Sequence, residues 1–195
     1  PRVITNDDDY INLFQERVIV GVDGADKEKG LEVAGYALSP EMTTGPNSGF
    51  LRRDANLLIV VVSDENDCSD NGVFEGESST LCYTEQERLV PVSDYVVQFR
   101  ALKDDPRKVR FAGIVGPKQS EGCLDAVPGY RYIQVSEMMG GTLGNICQSD
   151  WGSMLYDLGL NASGIQSSFQ TTFAAQPDTI QVTVDDEVIV EDPDS

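Results

Sequence analysis

A chain of 195 residues in which 40% are hydrophobic is long enough for one sizeable core, or for a core with a small appendage. Fourteen Lys and Arg against 33 Asp and Glu leave a net charge of −19, which argues against a phosphate backbone as partner, because counterion release needs basic clusters. The absence of histidine excludes Ser-His-Asp and Cys-His catalysis and most catalytic zinc sites, so oxygen-bound Mg²⁺ or Ca²⁺ are the ions left open.

Residues 4–18, ITNDDDYINLFQERV, predict a strand end, an Asp-rich helix start and an amphipathic stretch with Ile11, Phe14 and Val18 on one face. A glycine-punctuated loop, GVDGADKEKG, feeds a helix through KEKGLEVAGYAL, where Leu31, Ala34, Tyr36 and Leu38 roughly follow helical spacing. Residues 39–49, SPEMTTGPNSG, form a loop by composition. The unbroken apolar run LLIVVV (57–62) is the most buried-looking strand, and it stops at Ser63. Asp64, Glu65, Asn66, Asp67, Ser69 and Asp70 then crowd oxygen atoms into seven positions.

Residues 71–90 are irregular. The next helix spans 93–103, with Ser93 as its cap and Tyr95, Val96, Phe99 and Leu102 facing the core. VRFAGIVG (109–116) is a second apolar strand, and strand, helix, strand in this order is the signature of a parallel sheet. Residues 130–139 predict a helix ending at Gly140-Gly141, and Asp150 caps a further helix in DWGSMLYDLGL. From about residue 167 the period changes to two: SFQTTF and TIQVTVDDEVIV read as strands. The expectation is therefore an α/β domain over 1–166, followed by a β-rich segment over 167–195 that stops before supplying the partners such strands require. No apolar run approaches the roughly 18–20 residues of a membrane span. Six of the 14 cations lie between 100 and 118, and a solvated helix face and strand edge account for them.

Cys68, Cys82, Cys123 and Cys147 form no C-x-x-C, so zinc-ribbon and thioredoxin readings fail. Their even number and loop-like neighbours suggest two disulfides. Three pairings are possible, and proximity in sequence favours Cys68–Cys82 with Cys123–Cys147. Bridges of this kind place a protein in an extracellular, cell-surface or periplasmic setting.

Ligands of open parallel sheets bind beyond the carboxyl ends of the strands, which is where Asp64 falls. Packed carboxylates repel one another unless a cation lies among them; the alternative is that Asp64 caps the next turn and its neighbours are solvated. Asp67-x-Ser69-x-Asn71-Gly72 matches the first half of an EF-hand calcium loop, yet position 12 is Ser78 in place of the bidentate glutamate. Nothing selects a catalytic carboxylate pair, and no P-loop, nucleophile elbow or dinucleotide fingerprint is present, so the chain reads as non-enzymatic.

The ordered segments GVDGADKEKGLEVA, GFLRRDANL and VVSDENDCSD, with VRFAGIVG and RYIQVSEMMGGTLGNICQSDW further on, resemble the von Willebrand factor type A (vWA) domain, and more narrowly the vWA-like proteins of bacterial cell surfaces. The resemblance covers roughly residues 1–165. It implies a vWA-like, Rossmann-like parallel sheet flanked by helices. It also implies a metal-ion-dependent adhesion site built from three loops, with Asp64 at the third-loop aspartate. The first-loop Asp-x-Ser-x-Ser is absent, which places strand one upstream of Pro1. The second-loop threonine is absent from Gly24-Ala25-Asp26-Lys27-Glu28, so Glu28 or Asp26 replaces it as ligand, or the loop is inert. The functional expectation is an extracellular or cell-surface binding domain using Mg²⁺ or Ca²⁺, with Asp64, Glu28 and Asp26 as ligands, to hold an acidic group of a protein partner. The alternative is a structural subunit of a surface layer, appendage or secreted assembly, self-assembling and without a working metal site.

Overall fold

In the computed structural model, LLIVVVS forms β1 (Leu57–Ser63) and VRFAGIV forms β2 (Val109–Val115). The two pair in parallel and in continuous register, from Leu57 opposite Val109 to Ser63 opposite Val115. The structure describes residues 3–5, 8–21, 23–119, 123–163, 181–184 and 187–189. The chain divides into two units, Pro1–Ile165 and Gln166–Ser195.

A third parallel strand, β3 (Leu143–Asn145), pairs with β2 through Gly113–Leu143, Ile114–Gly144 and Val115–Asn145, giving the order β1-β2-β3. The helices are α1 (Tyr10–Val18), α2 (Gly30–Ala37), α3 (Pro40–Thr44), α4 (Leu81–Thr84), α5 (Val92–Arg100), α6 (Tyr130–Met139) and α7 (Gly152–Ser163), of which α2, α5, α6 and α7 flank the sheet. The fold is mixed α/β and Rossmann-like.

Strand alternation explains which helices lie on which face. Leu57 and Ile59 of β1 and Val109, Phe111 and Val115 of β2 pack with Leu31 of α2, Val96 and Phe99 of α5, and Tyr132, Ile133 and Val135 of α6. On the opposite face Ala112 and Ile114 meet Met154 and Leu158 of α7, with Leu58 and Trp151 at the margin. β2 is central and buried on both faces, which is why its sequence is apolar without alternation. β1 is an edge strand: Val60 and Val62 remain exposed. In the second unit β4 (Val182–Val184) pairs antiparallel with β5 (Glu187–Ile189), as the two-residue period of TIQVTVDDEVIV predicts. SFQTTF lies outside the described residues.

Several elements differ from the sequence expectation. SPEMTT contains helix α3, because Ser39 accepts a hydrogen bond from the Met42 N–H and Pro40 occupies the first turn, where its missing N–H costs nothing. Ser93 lies inside α5, one residue past its start, and Pro91 holds the cap position. Tyr36 turns outward, since α2 buries Leu31 and Gly35 instead. α1 forms, yet Ile11, Phe14 and Val18 are exposed. β3 is only three residues long, two of them in Leu-Gly-Asn carrying no strand preference, and periodicity gave no sign of it.

Gly140 ends α6 in the left-handed conformation (φ 65°), and Gly141 then passes so close to β2 that a Cβ there meets the Phe111 carbonyl oxygen at 1.5 Å. Gly141→Ala is therefore expected to lower unfolding free energy by about 1–3 kcal/mol, as overpacking against backbone does, with an unchanged slope in urea denaturation.

Candidate functional site

The acidic segment after β1 turns back into the protein. Residues 66–70 are all buried, and their side chains form a hydrogen-bonded hub between α2, α6 and the segment before α5. Asp67 Oδ1 accepts from the Leu31 N–H (3.0 Å) and from Ser69 Oγ (2.7 Å); Oδ2 accepts from the Ser69 N–H (3.1 Å) and Arg131 Nε (2.9 Å). Ser69 Oγ accepts from the Glu32 N–H, so Asp67 and Ser69 together satisfy two otherwise orphaned donors in the first turn of α2. Arg131 also donates to the Val90 carbonyl, and its own N–H donates to Asn66 Oδ1. Asp70 pairs with the Lys29 ammonium and accepts from the N–H groups of Gly72 and Phe74. Burial opposes ionisation of Asp70, but these three donors outweigh it and hold its carboxyl below the ordinary carboxylate value.

With Asp67 carrying four donors, the EF-hand-like match at 67–72 has no carboxylate to offer an ion. The disulfide Cys68–Cys82 closes this segment over Phe74 and Leu89, and the Cys68 N–H donates to the Glu28 carbonyl, tying the hub to the loop before α2. The second disulfide joins Cys123 to Cys147. Two disulfides are features of an oxidising compartment. No helix among the described residues is long and apolar enough to cross a membrane.

Asp64 points away from this hub. It is exposed at the carboxyl end of β1, where a cleft of about 760 Å³ opens. Asp26 and Glu28 line the same cleft, so the three carboxylates singled out as ligands share one space. Asp23 and Glu65 join them, with Lys27, Lys29 and Tyr132, while Val20, Val33, Val61 and Val62 form the apolar wall. Glu28 accepts a hydrogen bond from Ser63 Oγ, and the Tyr132 hydroxyl accepts from the Gly30 N–H (3.1 Å). Burial, followed by the charges of Glu28, Asp64 and Asp26, raises the Glu65 carboxyl above its ordinary value, partly countered by a hydrogen bond from Tyr83. Burial and the charges of Asp67 and Glu28 likewise push Tyr132 up.

Sequence reasoning missed Glu65 and Tyr132. The first was legible as the neighbour of Asp64; the second, distant in sequence, reaches the cleft only through α6. Among the described residues no three His, Cys, Asp or Glu side chains converge to hold a metal ion. The carboxylates therefore share a cleft without forming a coordination shell of their own. Each of the six cations between 100 and 118 has a protein partner: Lys118 pairs with Glu137, Arg107 with Asp105, and the other four donate to backbone carbonyls.

Comparison of the chain with protein-family models, curated proteins and solved structures yields no match.

Two outcomes follow from this geometry. Asp67→Ala leaves Arg131 without its carboxylate and the N–H groups of Leu31 and Ser69 without an acceptor, and equilibrium denaturation is expected to show a loss of about 3–5 kcal/mol. Glu65 has the opposite sign. Its folded pKa lies above the unfolded value, so its ionisation weakens the fold as pH rises from that unfolded value through the folded one. Glu65→Gln is expected to raise the melting temperature at neutral pH relative to wild type, with the difference vanishing below pH 4.

Proposed function

We propose that this protein is a non-enzymatic binding domain of vWA-like architecture, working outside the cell or at its surface, and that it engages a protein partner through the cleft at the carboxyl end of β1. The observation that carries this reading is the division of labour among the acidic residues. Asp67 and Asp70 are consumed by internal bonds, whereas Asp64, Glu65, Asp26 and Glu28 line an open cleft, where burial and then the charges of Glu28, Asp64 and Asp26 raise the affinity of Glu65 for a proton. Carboxylates that outnumber the cations beside them at the carboxyl end of a strand suit a ligand that brings positive charge. The two disulfides agree with an extracellular site of action. A divalent ion in this cleft would draw fewer than three ligands from the described residues, and the partner's acidic group with water would complete its shell.

The second reading is a structural subunit with no metal site, and a specific observation favours it. Two of the four carboxylates in the run after β1, Asp67 and Asp70, serve the interior, as scaffolding does.

Isothermal titration of Mg²⁺ and Ca²⁺ into the folded chain, beside Asp64→Ala, separates them. Saturable binding that the variant loses supports a cation in the cleft. A folded wild type that takes up neither ion gives the scaffold first place.

A further inference from the structure

A second groove, which shares no lining residue with the cleft at β1, is bounded by α2 and α5. Its volume of about 460 Å³ falls within the range of small-molecule sites. Two tyrosines, Tyr36 and Tyr95, line it beside Glu32, Ser39, Asn71 and Gln98, so aromatic rings meet a carboxylate, two carboxamides and a hydroxyl. Tyr36 is 57% exposed, whereas Tyr95 is buried and its ring packs with Phe99, 6.2 Å between centroids. Among the described lining residues there is no lysine or arginine, and Glu32 is the one carboxylate.

Two of these polar groups are held in place. Asn71, in the left-handed conformation (φ 53°), donates its N–H to Glu32 Oε2 (3.1 Å). Gln98 Nε2 donates to the Gly35 carbonyl (3.3 Å). Glycine admits that contact, because a Cβ at position 35 would lie 2.9 Å from the Gln98 carboxamide. Inside an eight-residue helix a glycine is destabilising relative to alanine; here it fixes a carboxamide at the groove.

We propose that this groove binds a neutral saccharide. The C–H face of a pyranose is weakly positive and suits the negative face of an exposed tyrosine such as Tyr36. A carboxylate with carboxamides nearby bonds adjacent hydroxyls, accepting from one and donating to the next. Charge narrows the ligand class. A chain at −19, with no cation in the described lining, repels anions. A single carboxylate that already accepts a backbone N–H is a poor seat for a metal ion. This site is additional to the cleft at β1, and its failure would leave the binding reading above untouched.

The probes are cellotriose, maltotriose and chitotriose, titrated into the full chain and followed by saturation-transfer difference NMR. Saturable binding of at least one is expected. Affinity is expected to fall at least roughly tenfold in Tyr36→Ala and in Gly35→Ala, the latter displacing only the flexible end of Gln98. Circular dichroism checks that the variants fold, and Gln98→Ala replaces either that does not. Failure of all three sugars to bind the folded wild type overturns the proposal, as does binding that both variants keep. Loss in Asp64→Ala but not in Tyr36→Ala moves the sugar to the cleft at β1 and overturns it too. So does saturable binding of tetralysine in place of the sugars, which assigns the groove to a basic segment.

Discussion

The buried carboxylate of Asp67 is the interaction on which the arrangement of the first unit depends. A charge in the interior is tolerated only when it is paired and its lone pairs are filled, and Arg131 with three further donors does both. Those donors come from α2, from the segment itself and from α6. One side chain thereby fixes where two helices begin relative to the end of β1. The neighbouring residues repeat the device: Ser69 holds the Glu32 N–H, Asn66 holds the Arg131 N–H, and Asp70 holds Lys29.

This hub determines what the cleft can be. By anchoring Lys29 and the start of α2, it leaves the preceding loop, with Asp26 and Glu28, facing the end of β1. By anchoring α6 through Arg131, it brings the next residue, Tyr132, into the same wall. The two acidic populations thus have separate electrostatic duties. The inner one is neutralised by Arg131 and Lys29. The outer one has Lys27 and Lys29 nearby, and there burial, followed by the like charges of Glu28, Asp64 and Asp26, raises the proton affinity of Glu65.

How much of this was legible in the sequence varies with the range of the interaction involved. The apolar runs of β1 and β2 and the span of α6 are local patterns, and they were readable to within a residue. The apolar face of α1, with Ile11, Phe14 and Val18, is legible as a stripe, but a stripe says that a surface is apolar and not what covers it, and here the three side chains are exposed. α3 was missed although Ser39-Pro40-Glu41 is a start signal, since the loop composition around it outweighed the cap. The roles of Asp64 and Asp67 are set by tertiary partners 36 to 64 residues away, in α2 and α6 for Asp67, and no spacing within DENDCSD announces which carboxylate turns inward. The pairing of the four cysteines was favoured by proximity, and the bridges found are the short-range ones.

The span of the Asp67 hub also bears on the order of events in folding. Its members come from the start of α2, the turn after β1 and the first turn of α6, so it closes only once the β1–β2 crossover is in place. An eight-residue helix such as α2 has little persistence by itself. Its first turn must therefore wait for a carboxylate delivered from much later in the chain, and a nascent chain that has emerged only as far as Cys82 carries Asp67 without its arginine. Completion of α6 is the step that converts this loose acidic turn into a fixed one, making the beginning of the unit among the last parts to become rigid.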